Sequence, residues 1–270
     1  GSVVGPQAYW TAQPEAPAFE GIEAAEEAVE ATLTEAVRLR TLSDVPLGTL
    51  LSGGVDSSLI TALLVHAGHR VRTFTLGFDE AEQDESEAAA AIARHLGTDH
   101  VTLPLRVADL RNWIPELVTL QDEPLGDSSL LPTAMVCRLA REHVTVALAG
   151  DGGDELFGGY DRYRRAMAAW ALSSRVPRPL RAGLGRGVRR LARWEAARAR
   201  SRTAGRGRDL LRRSMQGLAT DPDALWTTIR DGMPFPEVLV PGADSARPPH
   251  RPAIEPAVRR WMHEDLVDYL

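Results

Sequence analysis

The stretch Ser52-Gly53-Gly54-Val55-Asp56-Ser57-Ser58 decides the fold of this chain of 270 residues. A short apolar run, residues 45–51, precedes it, and residues 59–67 follow it with the apolar spacing of a helix. The order strand, glycine loop, helix brings successive backbone N–H groups, hydroxyls and a helix N-terminus to one point, which suits a phosphate or a pyrophosphate. An ordinary tight turn between strand and helix is the alternative explanation of the two glycines.

The same alternation of helix and strand extends over the first half of the chain. Apolar residues at helical spacing from Ile22 to Val37 predict a helix before the glycine loop. After it, sequence patterns predict strands at 71–78, 100–103 and 144–149, and helices at 84–96, 107–120 and 130–141. Strands joined by such helices predict an α/β fold: a parallel twisted sheet with helices on both faces and a ligand crevice at the carboxyl ends of the strands.

A second glycine-rich segment follows the last predicted strand. Residues 150–160 read Gly-Asp-Gly-Gly-Asp-Glu-Leu-Phe-Gly-Gly-Tyr, with three acids among five glycines. A surface loop with solvated acids is the alternative explanation, but such loops rarely need so many flexible positions beside an apolar strand. Carboxylates near a pyrophosphate would repel it unless metal ions bridge them, so the two motifs together predict Mg²⁺.

The overall composition excludes several classes of protein. The net charge of −6 argues against a dedicated nucleic-acid binder, and no apolar run approaches the roughly 20 residues that a membrane span requires. A single cysteine, Cys137, excludes an intramolecular disulfide framework, and the N-terminal residues lack the pattern of a signal peptide. These observations predict a cytoplasmic protein without a membrane partner, and they weigh against a nucleic-acid partner.

Changes in composition along the chain predict three parts. Residues 1–20 carry scattered prolines and glycines without a period, which predicts a linker. Residues 21–165 carry the alternating pattern, and residues 166–270 are mainly helical. Fourteen arginines lie between Arg175 and Arg213, and they predict either an amphipathic helix with a solvated basic face or an RNA-binding strip.

Seven segments resemble, in order, the C-terminal synthetase domain of the glutamine-hydrolysing asparagine synthetases. That domain is a PP-loop ATP pyrophosphatase with an adenine nucleotide alpha hydrolase-like fold. The likeness is dense from residue 21 to residue 163 and then fades. The segments that carry it are SDVPLG at 43–48, SGGVDSS at 52–58, FTLGF at 74–78, DESE at 84–87, LGTDH at 96–100, DEP at 122–124 and GDGGDELFGGY at 150–160.

The resemblance implies an ATP-dependent ligase that forms an amide. In such enzymes the side-chain carboxylate of aspartate attacks the α-phosphorus of ATP, which gives β-aspartyl-AMP and pyrophosphate. Ammonia then displaces AMP to give asparagine. The implied substrates are aspartate, ammonia and ATP, and the implied metal is Mg²⁺.

The resemblance also implies roles for individual residues, carried over motif by motif. The implied nucleotide contacts are made to adenosine by Leu51 and Leu76, to pyrophosphate by Ser52, Gly53, Gly54, Asp56 and Ser57, and to the α-phosphate by Ala149 and Gly150. Asp56 and Asp154 are implied to hold Mg²⁺. Asp151 and Asp154 are the implied catalytic residues, with Asp151 orienting ammonia or accepting its proton during aminolysis. Ala149 stands where the family has serine, so only backbone contacts are expected there.

Two features of the family have no counterpart in this sequence. The family begins with a glutaminase domain that has a catalytic N-terminal cysteine, so we expect residues 1–20 to be a linker from a missing upstream glutaminase domain. The family also has a lysine that contacts the phosphates, whereas all 31 basic residues here are arginine. We therefore expect an incomplete C-terminal region. The resemblance also implies a homodimer for the full-length protein.

Three other functions remain open on the sequence alone. The same adenylating machinery serves other carboxylate acceptors, as in β-lactam synthetases and lasso-peptide cyclases. A PP-loop protein that modifies RNA would use the arginine-rich segment, although the acidic net charge weighs against it. The third possibility is a fragment that binds ATP without catalysis.

Overall fold

A computed structural model of the chain describes residues 19–79, 84–120, 129–183, 222–230 and 257–269. The chain divides into two compact units, which we call the sheet unit (Glu15–Asp151) and the helical unit (Gly152–Leu270 together with Gly1–Pro14). Of the predicted linker, only residues 19 and 20 lie within the described residues. The domain limit predicted near residue 165 stays a prediction.

The sheet unit alternates strands and helices, which confirms the predicted α/β class. In its described ranges the strands are β1 (Leu47–Leu50), β2 (Arg72–Phe78), β3 (Asp99–Leu105) and β4 (Val146–Leu148). The helices are α1 (Ile22–Arg40), α2 (Val55–His66), α3 (Ser86–Leu96), α4 (Val107–Leu120) and α5 (Leu130–Arg141). Every strand and helix predicted in this unit forms, with ends that differ from the sequence pattern by at most four residues.

All four strands pair in parallel, in the order β3-β2-β1-β4. Gly48 pairs with Arg72 of β2 on one side, and Leu47 pairs with Val146 of β4 on the other. Strands β2 and β3 follow one another on one side of β1, whereas β4 pairs with the other side of β1. In parallel sheets such a switch opens a crevice at the carboxyl ends of the two strands involved, here β1 and β4.

Helices cover both faces of the sheet, as the sequence pattern predicts. Successive side chains of a strand point to opposite faces, so Thr49 and Leu50 mark the two faces of β1. Thr49 Oγ1 lies 3.1 Å from Thr61 Oγ1 of α2. Leu50 packs on the opposite side, in a cluster that includes Phe74 of β2 and Leu139 of α5. No helix in the described residues is both long and apolar enough to cross a membrane.

The half-buried imidazole of His100 lies within the threonine-lined face of the sheet. Its Nδ1 lies 2.8 Å from Thr73 Oγ1, and its Nε2 lies 3.2 Å from Thr102 Oγ1. Burial lowers the pKa of His100 below its ordinary value, and the charge of Arg94 adds to the effect. The folded chain therefore favours the neutral imidazole more than the unfolded chain does.

We expect His100 to make the folded state less stable in mild acid. Because its folded pKa is depressed, its contribution is complete above the unfolded value of 6.5 and declines as the pH falls through that value. The His100→Gln variant keeps hydrogen-bonding atoms but does not titrate. In urea unfolding at pH 7.5 and pH 5.5, the loss of stability should be smaller for the variant than for the wild type. An identical loss in both proteins would contradict the assignment.

The helical unit is organised around stacked aromatic rings. Its helices include α6 (Gly153–Phe157), α7 (Asp161–Ser173), α8 (Pro222–Arg230) and α9 (Ala257–Tyr269), and residues 178–183 are also helical. The ring of Trp226 stacks on Tyr163 at 5.1 Å and on Trp261 at 5.2 Å between centroids. Most of the arginine-rich segment, from residue 184 to 213, lies outside the described residues, and the two interpretations of it stay predictions.

A buried carboxylate ties α9 to the start of α7. Asp265 of α9 is 0% exposed, and its Oδ2 accepts hydrogen bonds from Tyr163 Oη at 2.6 Å and from Arg162 Nη2 at 2.8 Å. Burial without donors would strongly disfavour an ionised carboxylate, so these contacts are needed for its charge. Burial and the bond to Asp265 raise the pKa of Tyr163, which therefore stays a donor.

We expect Tyr163→Phe to destabilise the fold by about 1–3 kcal/mol, because it removes a donor from a buried charged acceptor. The ring remains, so the stacking on Trp226 is retained. Tryptophan fluorescence during thermal unfolding reports on this cluster. Thr32→Ala, which removes an exposed bond to the Ala28 carbonyl, is the control and should change stability by less than about 0.5 kcal/mol. Equal effects of the two changes would refute the expectation.

Candidate active site

The glycine loop, residues 52–57, leaves the carboxyl end of β1 and becomes the first turn of α2. Leu51, which precedes it, is 1% exposed and donates its N–H to the carbonyl oxygen of Phe74 at 2.8 Å. The side chain of Leu51 packs with Ala89 and Ala93 of α3. The loop therefore starts from a fixed point in the core of the sheet unit.

Serine hydroxyls hold the glycine loop closed. Ser57 Oγ lies 3.2 Å from Ser52 N and 3.0 Å from Ser52 Oγ, and Ser58 Oγ donates to the Gly54 carbonyl at 2.6 Å. A helix leaves its first N–H groups without intrahelical acceptors, and no described side chain caps the N-terminus of α2. These N–H groups and the positive end of the helix dipole are therefore available to an anion.

Gly53 occupies a position that only glycine fits. Its φ of +84° lies in the left-handed region, and a Cβ there would lie 3.1 Å from both Ala88 Cβ and Ala89 N of α3. A larger residue would be strained by its own backbone and would press on the first turn of α3. The close approach lets the loop backbone lie directly against that helix.

The segment after β4 also lies against the glycine loop. A Cβ at Gly150 would lie 2.7 Å from Ser57 N and 3.0 Å from the carbonyl carbon of Asp56. The structure therefore brings Gly150, and with it the half-buried Ala149, to the start of α2. These residues lie at the carboxyl ends of β1 and β4, where the strand order predicts a crevice. The contacts of these residues with ATP stay predictions.

The remaining predicted site residues of the sheet unit also lie at the carboxyl ends of its strands. Leu76 is half-buried near the carboxyl end of β2, which neighbours β1. Asp56 is half-buried in the first turn of α2, and Asp151 is exposed where the sheet unit ends. The carboxyl end of the sheet thus carries backbone N–H groups and two carboxylates, and their roles in binding and catalysis stay predictions.

Asp154 belongs to the helical unit, where it stands in the first turn of the short helix α6. Its side chain is half-buried, and its carbonyl accepts the N–H of Gly159 at 3.0 Å. A Cβ at Gly159 would collide with the Asp154 carboxylate, so this glycine makes room for it. The proposed metal-binding role of Asp154 stays a prediction.

Sequence reasoning missed two acidic residues that the structure singles out. Glu155 is 6% exposed and accepts a hydrogen bond from Tyr160 Oη at 2.6 Å. Burial, and then the bond to Glu155, raise the pKa of Tyr160 above its ordinary value. Asp84, predicted as the first residue of α3, precedes that helix and accepts two backbone N–H bonds. Its place before a helix start, in the Asp-Glu-Ser sequence, is a capping signal that the apolar pattern obscured.

The described residues form no metal cage of their own. No group of three or more histidine, cysteine or acidic side chains in the described ranges is arranged to hold a metal ion. Mg²⁺ does not need such a cage, because it commonly binds through one or two carboxylates together with the phosphates of its substrate. Asp56, in the glycine loop at the first turn of α2, is a carboxylate of the kind that such binding uses.

The fold and the candidate site define an α/β domain of the kind that carries a glycine loop between a strand and a helix, at the carboxyl ends of parallel strands. The family model for asparagine synthase matches residues 28–270. The chain belongs to this family.

Curated relatives support the family assignment over part of the chain. A putative asparagine synthetase [glutamine-hydrolyzing] of Mycobacterium tuberculosis (strain H37Rv) is 38% identical over 158 residues, which are 58% of this chain and 24% of the relative. Asparagine synthetase [glutamine-hydrolyzing] 1 of Bacillus subtilis is 36% identical over 140 residues, which are 52% of this chain and 22% of the relative. The match thus spans about a quarter of the length of these relatives.

Among solved structures, the chain is similar to the glutamine-dependent NAD+ synthetase from Acinetobacter baumannii in complex with adenosine diphosphate. The two are 22% identical with a TM-score of 0.37, over 55% of this chain and 29% of that chain.

Proposed function

We propose that this chain binds Mg-ATP at the glycine loop and activates the side-chain carboxylate of aspartate as β-aspartyl-AMP for amide formation with ammonia. The observation that carries the proposal is the loop itself. A closed turn, a helix N-terminus without a described cap and a glycine pressed against Ser57 N lie together at the β1–β4 crevice. Membership of the asparagine synthase family supports the reaction class.

The glycine loop suits pyrophosphate as a leaving group. Negative charge gathers on the β- and γ-phosphates as the bond between the α- and β-phosphorus breaks. Backbone N–H groups at the start of α2 are already oriented, so they stabilise that charge without reorganising. The Ser52 and Ser57 hydroxyls, 3.0 Å apart, fix the direction of these donors.

The acidic residues suit Mg²⁺ and the second step. Asp56 and Asp154 would hold Mg²⁺, which when bound neutralises charge on the phosphates. Asp151 is exposed at the end of the sheet unit, where a carboxylate can orient ammonia and accept its proton. At Ala149 a methyl group stands where a hydroxyl is expected in the family, so the backbone of residues 149 and 150 supplies the polar contacts to the α-phosphate.

Exchange of label between pyrophosphate and ATP tests this proposal directly. The exchange should depend on aspartate and Mg²⁺, because only reversible formation of an acyl-adenylate returns pyrophosphate to ATP. Glutamate, with one more methylene group, is the matched control acid. Exchange that depends on a different carboxylic acid and not on aspartate would show that this other acid is the substrate that the chain activates. Binding of Mg-ATP without exchange for any acid would reject acyl activation by this chain.

A further inference from the structure

Asp84 joins two elements of the sheet unit and has no role in the function described above. Its Oδ1 accepts the N–H of Phe78, the last residue of β2, at 3.3 Å and the N–H of Ser86, the first residue of α3, at 3.0 Å. Hydrogen bonds from Ser86, with a weaker one from Phe78, hold the pKa of Asp84 below its ordinary value. The ionised carboxylate therefore fastens the start of α3 to the end of β2.

The first turn of α3 is the surface against which the glycine loop lies. A Cβ at Gly53 would lie 3.3 Å from the Glu85 carbonyl oxygen, in addition to its close approach to Ala88 and Ala89. The Glu85 carbonyl also accepts the N–H of Ala89 at 2.9 Å, which closes this first turn. The space between Gly53 and this turn is too small for a side chain, so a displacement of the turn alters the room available to the loop.

We propose that Asp84 is a positioning residue for the glycine loop. It fixes the N-terminus of α3 to β2, and the first turn of α3 in turn sets the position of Gly53. The inference rests on the proposed function, because it takes Mg-ATP as the ligand of that loop. Ends of helices fray unless their N–H groups are satisfied. Without the Asp84 carboxylate, the start of α3 loses the acceptor of the Ser86 N–H and its tie to the sheet, and the loop loses a rigid support.

The test compares Mg-ATP affinity, measured by calorimetry, between the wild type and three variants. Asp84→Ala removes both acceptor contacts and should raise the dissociation constant on the order of tenfold, as is typical for groups that orient a binding site from outside it. Asp84→Asn keeps an oxygen at the same place, so its affinity should stay close to that of the wild type. Ser43→Ala removes a similar side-chain acceptor, from the N–H of Val45 at 3.2 Å, and should have no effect.

Each outcome decides the matter. Wild-type affinity in Asp84→Ala would overturn the positioning role, and so would an Asp84→Asn variant as weak as Asp84→Ala, because that would assign the effect to charge. If Asp84→Ala does not fold, Asp84→Ser takes its place. Its shorter side chain can reach Ser86 N–H two residues on but not Phe78 N–H, and unchanged affinity would again overturn the proposal. Absence of Mg-ATP binding by the wild type would instead refute the proposed function, and this inference with it.

Discussion

The Asp56→Ala variant is expected to bind Mg-ATP on the order of 100-fold more weakly than the wild type. Removing even an outer-shell partner of a metal typically costs 10- to 100-fold in affinity, and Asp56 is the proposed direct ligand. The half-buried carboxylate stands in the first turn of α2, beside the N–H groups proposed to bind pyrophosphate. Without it, the metal loses a protein ligand.

Two controls separate this effect from a general loss of charge. Asp161→Ala removes the same charge from an exposed position, where the carboxylate makes ion pairs of 3.5 and 3.6 Å with neighbouring arginines. This control should bind Mg-ATP as the wild type does. In the presence of a chelator, Asp56→Ala should bind ATP no more weakly than the wild type, because a carboxylate without its metal repels the phosphates. Weaker binding by Asp56→Ala in the chelator would show that Asp56 acts other than through the metal.

Gly150→Ala is expected to weaken Mg-ATP binding at the same site, because it changes the contact between the segment after β4 and the start of α2. The added Cβ would lie 2.7 Å from Ser57 N and 3.0 Å from the Asp56 carbonyl carbon, and neither backbone atom belongs to a flexible side chain. The start of α2 or the segment after β4 must therefore move. We expect a stability loss of about 1–3 kcal/mol, which is typical of overpacking, and at least a tenfold loss of Mg-ATP affinity because the donors are displaced.

Gly183→Ala is the matched control for this substitution. Among the described residues, nothing lies within 4 Å of a Cβ at Gly183, which is helical, so alanine there should be neutral or slightly stabilising. Thermal unfolding and calorimetry with Mg-ATP give the two readouts. A Gly150→Ala protein that melts with the wild type and binds Mg-ATP equally well would show that the close approach in the structure does not restrict the loop.

Local sequence rules predicted most of the sheet unit because its signals are short-range. Residues 107–120 and 130–141 form helices with the predicted ends, since apolar spacing alone specifies an amphipathic helix. The start of α2 was predicted four residues too late, at Leu59 instead of Val55. The first turn, including Asp56 and Ser57, faces the loop and carries no apolar pattern. The pattern assigns Asp84 to α3 for a related reason: an acidic residue just before a helix resembles the acidic residues that favour its first turn.

The candidate site divides in the same way between local and non-local information. Ser52, Gly53 and Gly54 form a turn whose residue types already specify it, because a hydroxyl and a left-handed glycine are needed within a few residues. The acidic residue Glu155, in contrast, gave no signal. Its burial and its hydrogen bond to Tyr160 depend on how α6 packs in the helical unit, and a carboxylate in a glycine-rich segment otherwise reads as solvated.

The sequence by itself determined the order of strands and helices, the glycine loop and the chemistry of its residues, because each depends on neighbours a few positions apart. Only the tertiary structure decided that β4 pairs with β1, the strand formed almost a hundred residues earlier. That pairing puts Gly150, the first residue of the second motif, close to Ser57 N at the carboxyl end of the sheet. Parallel pairing follows from the burial of whole faces and from crossover connections, and no local pattern encodes which strands become neighbours.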